Sequence, residues 1–321
     1  MKILLIPGLT LLGFADEHVA RIRAAAGHEA DVIVTTPAEA YEHAEDAEVI
    51  LGSVPLNLFS AAPKLRWVHA ISSGVDSFLY PEFRDSDVIL TSEKGLVGEH
   101  LADHGFGLLL MLTRQLTTAF KLGPDSWNHR ADMRRHEVEL SGLTMGIIGF
   151  GGTGRAMARR AHAFGMICQA IDRDAVPNSP EVAEVKPPAF FTDLLATSDV
   201  VSICCPLTPE TRGLFNREAF AKMKPSAFLV NVTRGEVIVE DDLVAALQGK
   251  QLRAAALDVV PREPLPPNSP LWDMPNVVMT PHTAGASQYR TGRNIDRFIR
   301  NLAHLQNHEP LEGVIDKQLG Y

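Results

Sequence analysis

The chain has 321 residues, 45% of them apolar and 21% charged, with 39 acidic against 30 basic side chains and a formal net charge of −9. That is about two domains at roughly 150 residues each, and the ordinary globular composition excludes a disordered, collagen-like or disulfide-stapled chain. The acidic balance also argues against a basic face for nucleic acid, so the expected partners are small solutes, with neither nucleic acid nor membrane among them.

The apolar start, Met1 to Pro7, is too short for a signal-peptide core and reads as a first strand. Further strands are expected at 31–35, 49–51, 66–70 and 88–91. A long helical pattern then covers 99–121, and the polar stretch 123–140 around Trp127 reads as a connector or arm. A second set of strands follows at 144–149, 167–171, 200–204, 227–232, 254–259 and 277–279. The last helix is expected at about 286–306, with Ile295, Phe298, Ile299, Leu302 and Leu305 at helical spacing. Strands alternating with helices predict an α/β fold of parallel sheets covered on both faces. The longest apolar stretch, 106–112, falls far below the ~20 residues that span a bilayer. Cys168, Cys204 and Cys205 form no CxxC pair and fit a reducing compartment, so the cytoplasm is the expected location.

Gly149-Phe150-Gly151-Gly152-Thr153-Gly154 supplies G-x-G-x-x-G directly after one of these strands and before a helical run, 155–164. Gly149 permits a tight turn, Gly151 lets the backbone approach a pyrophosphate, and Gly154 lets helix and strand pack closely. The amides of Gly152 and Thr153 would sit at the helix N-terminus, where an anion is favoured. The next strand ends in Asp172, 18 residues beyond Gly154, where a carboxylate can accept both hydroxyls of an adenosine ribose. Asp172 would repel a 2′-phosphate, which favours NAD, while Arg173 beside it leaves NADP open. His100 and His104 stand one helical turn apart but lack a third ligand, so no metal site is expected.

Three later segments, Asn231 to Gly235, Leu257 to Leu265 and Met279 to Gly285, each place polar residues just after an expected strand, where open α/β sheets carry ligands. Together with Glu139-Leu140-Ser141-Gly142, Pro206-Leu207-Thr208-Pro209-Glu210-Thr211, Asp241-Asp242-Leu243 and Ser269-Pro270-Leu271-Trp272, they complete an ordered set of Arg, Asp, Glu-Pro-Leu and Pro-His. In these motifs the chain resembles the D-isomer-specific 2-hydroxy acid dehydrogenase family over nearly its whole length. The resemblance implies a catalytic Arg234, Glu263 and His282, with Asp258 near the nicotinamide side of the cofactor. It implies cofactor contacts from Cys204, Pro206, Thr211 and Thr233, Cys204 standing where many relatives carry a His. Ile71-Ser72-Ser73-Gly74-Val75-Asp76 resembles the family loop whose amides hold the substrate carboxylate, which singles out Ser73 and Gly74. His104 matches the His of the family's Ala-Glu-His segment, with Asp103 in place of Glu, on a helix that typically lies in a dimer interface; a homodimer is therefore expected. Formate-oxidising relatives carry Gln where this chain has Glu263, so a hydroxy acid enzyme is implied.

The chemistry supports these roles. Reducing a 2-oxo acid needs a hydride donor, a proton donor for the forming alkoxide, and a cation for the carboxylate. His282 suits the second task, Glu263 would fix its tautomer, and the planar fork of Arg234 suits the third. The expected architecture is a flavodoxin-like substrate domain, residues 1–97 completed by 288–321, into which a Rossmann NAD-binding domain, 98–287, is inserted. The active site is expected in the cleft between them, with closure around the bound pair. Glyoxylate, hydroxypyruvate and an aryl pyruvate all remain open as substrates. The alternative is an NAD(H)-sensing, corepressor-like binding protein with little turnover, because such proteins keep the same three residues. A methyltransferase sharing the glycine turn would leave Arg234, Glu263 and His282 unexplained.

Overall fold

A computed structural model describes all 321 residues and divides them into two units, Met1–Val97 with Ala286–Tyr321, and Gly98–Gly285. The first unit opens with β1 (Lys2–Leu5), α1 (Asp16–Ala26), β2 (Asp31–Val34), β3 (Val49–Leu51), α2 (Leu56–Ser60), β4 (Trp67–His69), α3 (Pro81–Arg84) and β5 (Ile89–Thr91). All its strands are parallel, in the order β2-β1-β3-β4-β5. That is the flavodoxin-like order, in which the connections reverse direction between β1 and β3.

The second unit runs through α4 (Gly98–Thr113), α5 (Leu116–Leu122), α6 (Arg130–His136), β6 (Thr144–Ile148), α7 (Gly152–Ala163), β7 (Ile167–Ile171), β8 (Val185–Lys186) and α8 (Phe191–Thr197). It continues with β9 (Val200–Ile203), α9 (Arg217–Phe220), β10 (Phe228–Asn231), α10 (Glu240–Gln248), β11 (Ala254–Leu257) and β12 (Val277–Met279). Its seven parallel strands lie in the order β12-β11-β10-β9-β6-β7-β8. The sheet grows outward from β6 through β7 to β8 and from β6 through β9 to β12, a doubly wound Rossmann arrangement with its switch point between β6 and β9. One core of the unit gathers Ile148, Val201, Phe215, Leu229, Leu243 and Leu257 with their neighbours. The chain then returns to the first unit with α11 (Arg290–Gln306).

Alternation along β1 explains why the first sheet is covered on both faces. Leu4 joins a core with Val68, Phe83 and Leu90, while Ile3 and Leu5 join a second with Trp67, Ile295, Phe298 and Leu302. The apolar stripe of α11 therefore forms much of that second core, and Phe298 stacks on Trp67 at 4.9 Å.

Several boundaries differ from expectation. The pattern expected as one helix over 99–121 is two helices, because Gln115 adopts φ +54 between them. The stretch 123–140 contains α6 and a short 3-10 turn, β8 is an edge strand of two residues, and α7 begins three residues earlier than expected. The second unit ends at Gly285 rather than 287. No helix is long and apolar enough to cross a membrane.

Candidate active site

The glycine turn follows β6. Gly149 takes φ +91, and a Cβ there would lie 2.7 Å from the Cys205 backbone. A Cβ on Gly154 would strike the Gly149 carbonyl oxygen, so strand and helix meet there with no room for a side chain. Gly151 differs, since a Cβ on it would meet nothing within 4 Å. The space before the first turn of α7, where Gly152 and Thr153 carry amides with no intrahelical acceptor, is thus open to a phosphate group. Asp172 directly follows the neighbouring strand β7. Its Oδ2 accepts the Phe150 amide at 2.6 Å and its Oδ1 the Asp174 amide at 2.9 Å, which fixes a carboxylate beside the turn. Arg173 points its guanidinium to Asp174, at 3.9 Å. These residues fit a dinucleotide.

Cys204 and Cys205 follow β9, with Cys204 Sγ 3.3 Å from Ser202 Oγ. Burial pushes both thiols up to about 12, so neither serves as a thiolate near neutrality. Thr211 closes the adjoining loop by donating from Oγ1 to the Pro206 carbonyl at 2.7 Å and accepting the Thr208 amide at 2.8 Å.

Arg234 follows β10 on a loop organised by the buried Asn231. Asn231 Oδ1 accepts from the amide and hydroxyl of Thr233, and its Nδ2 donates to the Arg234 carbonyl at 2.8 Å. Gly235 comes next because a Cβ there would strike the backbone of Val260 and Pro261.

Asp258, 1% exposed, follows β11 and ties down the loop after β12. Its Oδ1 accepts from Thr280 Oγ1 at 2.6 Å and the Thr283 amide at 2.9 Å, and its Oδ2 accepts the Ala284 amide at 2.8 Å. The His282 amide donates to the Asp258 carbonyl at 2.8 Å. Held this way, His282 sits at φ +55, a left-handed conformation unusual for a residue with a side chain. Its Nδ1 lies 2.7 Å from Glu263 Oε2, while Glu263 Oε1 accepts the Val260 amide at 3.2 Å. Nε2 is then the ring nitrogen left to face a reactant.

All the expected cofactor and catalytic residues of the second unit thus follow strand ends at the carboxyl edge of one sheet. Ser73 and Gly74 belong to the first unit, on the loop after β4, and their amides donate to no acceptor within the chain. Sequence reasoning missed His104 as a neighbour of this network: its Nε2 lies 2.7 Å from Thr280 Oγ1 and 3.4 Å from Asp258 Oδ1. It also missed Asn231 as the organiser of the Arg234 loop. The available signal was position alone, since Asn231 ends a strand and Thr280 immediately precedes Pro281-His282.

Residues 106–284 match the family model for the NAD-binding domain of D-isomer specific 2-hydroxyacid dehydrogenases. A glyoxylate/hydroxypyruvate reductase B from Pectobacterium carotovorum subsp. carotovorum is 39% identical over 85% of this chain and 87% of that protein. Among solved structures, an NADPH-dependent glyoxylate/hydroxypyruvate reductase from Sinorhizobium meliloti, in complex with NADP and sulfate, matches with TM-score 0.80 and 29% identity over all of both chains. An NAD-dependent formate dehydrogenase from Staphylococcus aureus, in complex with NAD, matches with TM-score 0.77 and 26% identity over 98% of this chain and 99% of that one.

Proposed function

As a member of the D-isomer specific 2-hydroxyacid dehydrogenase family, this chain is an NAD(P)-dependent oxidoreductase of the 2-oxo acid and 2-hydroxy acid pair, and we propose that it reduces short 2-oxo acids of the glyoxylate and hydroxypyruvate kind, with Arg234, Glu263 and His282 as its catalytic residues. The observation that carries the reading is the Glu263–His282 pair, 2.7 Å apart at the carboxyl edge of a dinucleotide-binding sheet.

A reduced dinucleotide held at the Gly149–Gly154 turn and Asp172 would supply the hydride from its nicotinamide. Arg234 binds the substrate carboxylate through its planar fork and polarises the neighbouring carbonyl. His282 donates a proton from Nε2 to the alkoxide oxygen, and Glu263 accepts from Nδ1–H and so orients the ring. Asp258 keeps the His282 backbone in place. The free amides of Ser73 and Gly74 are the complementary carboxylate donors.

NAD is the proposed cofactor, because a carboxylate at Asp172 suits the ribose hydroxyls and disfavours a 2′-phosphate. Both NAD- and NADP-containing relatives share the fold, so the ratio of kcat/KM with NADH to that with NADPH decides the point. The test of the whole reading is NADH and NADPH oxidation against 2-oxo acids of graded size and charge. His282→Ala should lower kcat by roughly 100-fold or more with NADH affinity retained, and near-wild-type turnover by that variant on every accepted substrate would sink the assignment.

A further inference from the structure

The Ser73–Gly74 loop is held from behind by a buried polar cluster to which nothing in the proposed chemistry assigns a task. Glu93 follows β5, and its side chain is only 3% exposed. Arg290, at the start of α11, grips its carboxylate through Nε at 3.0 and 3.2 Å and through Nη2 at 2.5 Å. Asn294, one turn further along α11 and 1% exposed, donates to Glu93 Oε1 at 3.1 Å. Arg297 fixes the backbone on both sides of Glu93, donating to the carbonyls of Ser92 at 3.0 Å and Lys94 at 2.7 Å.

This cluster reaches the substrate loop through the loop's carbonyls. Asn294 Nδ2 donates to the Ala70 carbonyl at 3.5 Å, Arg290 Nη2 to that of Ile71 at 3.4 Å, and the Glu93 amide to that of Ser72 at 3.2 Å. Thr10, from the loop after β1, adds a hydroxyl to the Ile71 carbonyl at 2.5 Å, and Ser72 Oγ closes the turn on the Gly74 carbonyl at 2.7 Å. Each of these carbonyls therefore has a donor inside the unit, while the Ser73 and Gly74 amides have no acceptor there. The Ser72 carbonyl and the Ser73 N–H belong to one peptide group, so holding that oxygen from the Glu93 side aims the Ser73 amide the other way, while the turn closed by Ser72 Oγ on the Gly74 carbonyl fixes Gly74 beside it.

We propose that Glu93, Arg290 and Asn294 are positioning residues for substrate binding, bracing the Ile71–Gly74 loop from α11 so that its amides converge on the substrate carboxylate. The inference rests on the functional reading above and adds to it a dependence of 2-oxo acid affinity on residues that never touch the substrate. An ion pair this deep is weak evidence of net stability, because desolvating both charges offsets their attraction. Its better-founded use is to specify one geometry, and here the geometry specified is that of an anion-binding turn.

Two variants test it, read by steady-state kinetics with glyoxylate and hydroxypyruvate, by NADH fluorescence titration, and by hydrogen exchange at the Glu93 amide. Glu93→Gln keeps the shape and removes the charge. It should raise KM for both acids about tenfold or more and change kcat by less than about threefold, with the dissociation constant of NADH unchanged. Thr10→Val removes one carbonyl donor without touching a charge and should raise KM by about threefold; it decides the matter if Glu93→Gln fails to fold. Both should quicken exchange at the Glu93 amide. With the wild type active, unchanged KM in the folded variants overturns the brace, as does equal weakening of NADH and 2-oxo acid binding. A wild type that reduces no 2-oxo acid ends the functional reading instead, and unchanged exchange in the variants would then end the brace as well.

Discussion

His282 and His69 show how differently one residue type is used in the two units. His282 is 45% exposed in its side chain and stands on a backbone held left-handed by Asp258, with one ring nitrogen committed to Glu263. His69 lies fully buried in β4 with Nδ1 2.6 Å from Thr91 Oγ1, a hydroxyl that also accepts from Trp67 Nε1 at 2.8 Å. Burial first, and the nearby charge of Arg297 second, push His69 down to about 3. The folded protein thus keeps this ring neutral where an unfolded chain would protonate it. Its contribution to stability is complete above the unfolded value near 6.5 and is lost as pH falls from there towards 3, by up to about 1.4 kcal/mol per pH unit. Urea denaturation between pH 7 and pH 5 should show that slope, and His69→Asn, whatever its own cost, should flatten it; equal slopes would mean that other groups set the acid sensitivity. The contact between His282 and Glu263, on which the proposed chemistry rests, was legible in the sequence through the Pro-His segment and its expected Glu partner. The buried role of His69 was not, because a histidine in an apolar strand carries no mark of which face it will occupy.

At the level of elements, the glycine turn offers the sharpest contrast. Gly151 and Gly154 are three residues apart, yet a Cβ on the first meets open space and on the second a backbone oxygen. Gly154→Ala should therefore lower stability by about 1–3 kcal/mol through overpacking, seen as a lower melting temperature. Gly151→Ala should melt like the wild type but bind NADH more weakly, and a pair of variants with matching profiles would refute the division of labour. This motif was legible because Gly149 and Gly154 are demanded by backbone geometry, which spacing encodes directly. The long helix was misjudged for the opposite reason: Leu108 to Leu122 keeps helical spacing, and the break at Gln115 is a single backbone rotation without glycine or proline to announce it. The Glu93–Arg290 pair was out of reach altogether, since its members lie 197 residues apart and only the return of α11 brings them together.

For the whole molecule, the discontinuity of the first unit matters most. The core of the second unit around Ile148, Val201 and Leu229 draws only on that unit's residues, whereas one core of the first unit depends on Ile295, Phe298 and Leu302 of α11. Residues 98–285 expressed alone should fold and bind NADH, and residues 1–97 alone should not fold, as circular dichroism and fluorescence titration would show. A cooperatively folded 1–97 fragment would contradict the role given to α11. The two groups of strands were legible in the sequence, whereas the return of the last helix to the first unit came with the family resemblance, because an apolar stripe does not say which sheet it will cover.

The same discontinuity sets an order of events at the ribosome. β1 to β5 emerge before the second unit, but α11, which covers Trp67 and shares one face of their sheet with α1, arrives only after the 188 residues of that unit. At about 5–20 residues per second the wait is roughly 10–40 s, long enough for the inner unit to finish folding while the older strands stand half-covered. Slow translation within the second unit would prolong that exposure, although residues 1–97 are made before the unit that keeps them waiting.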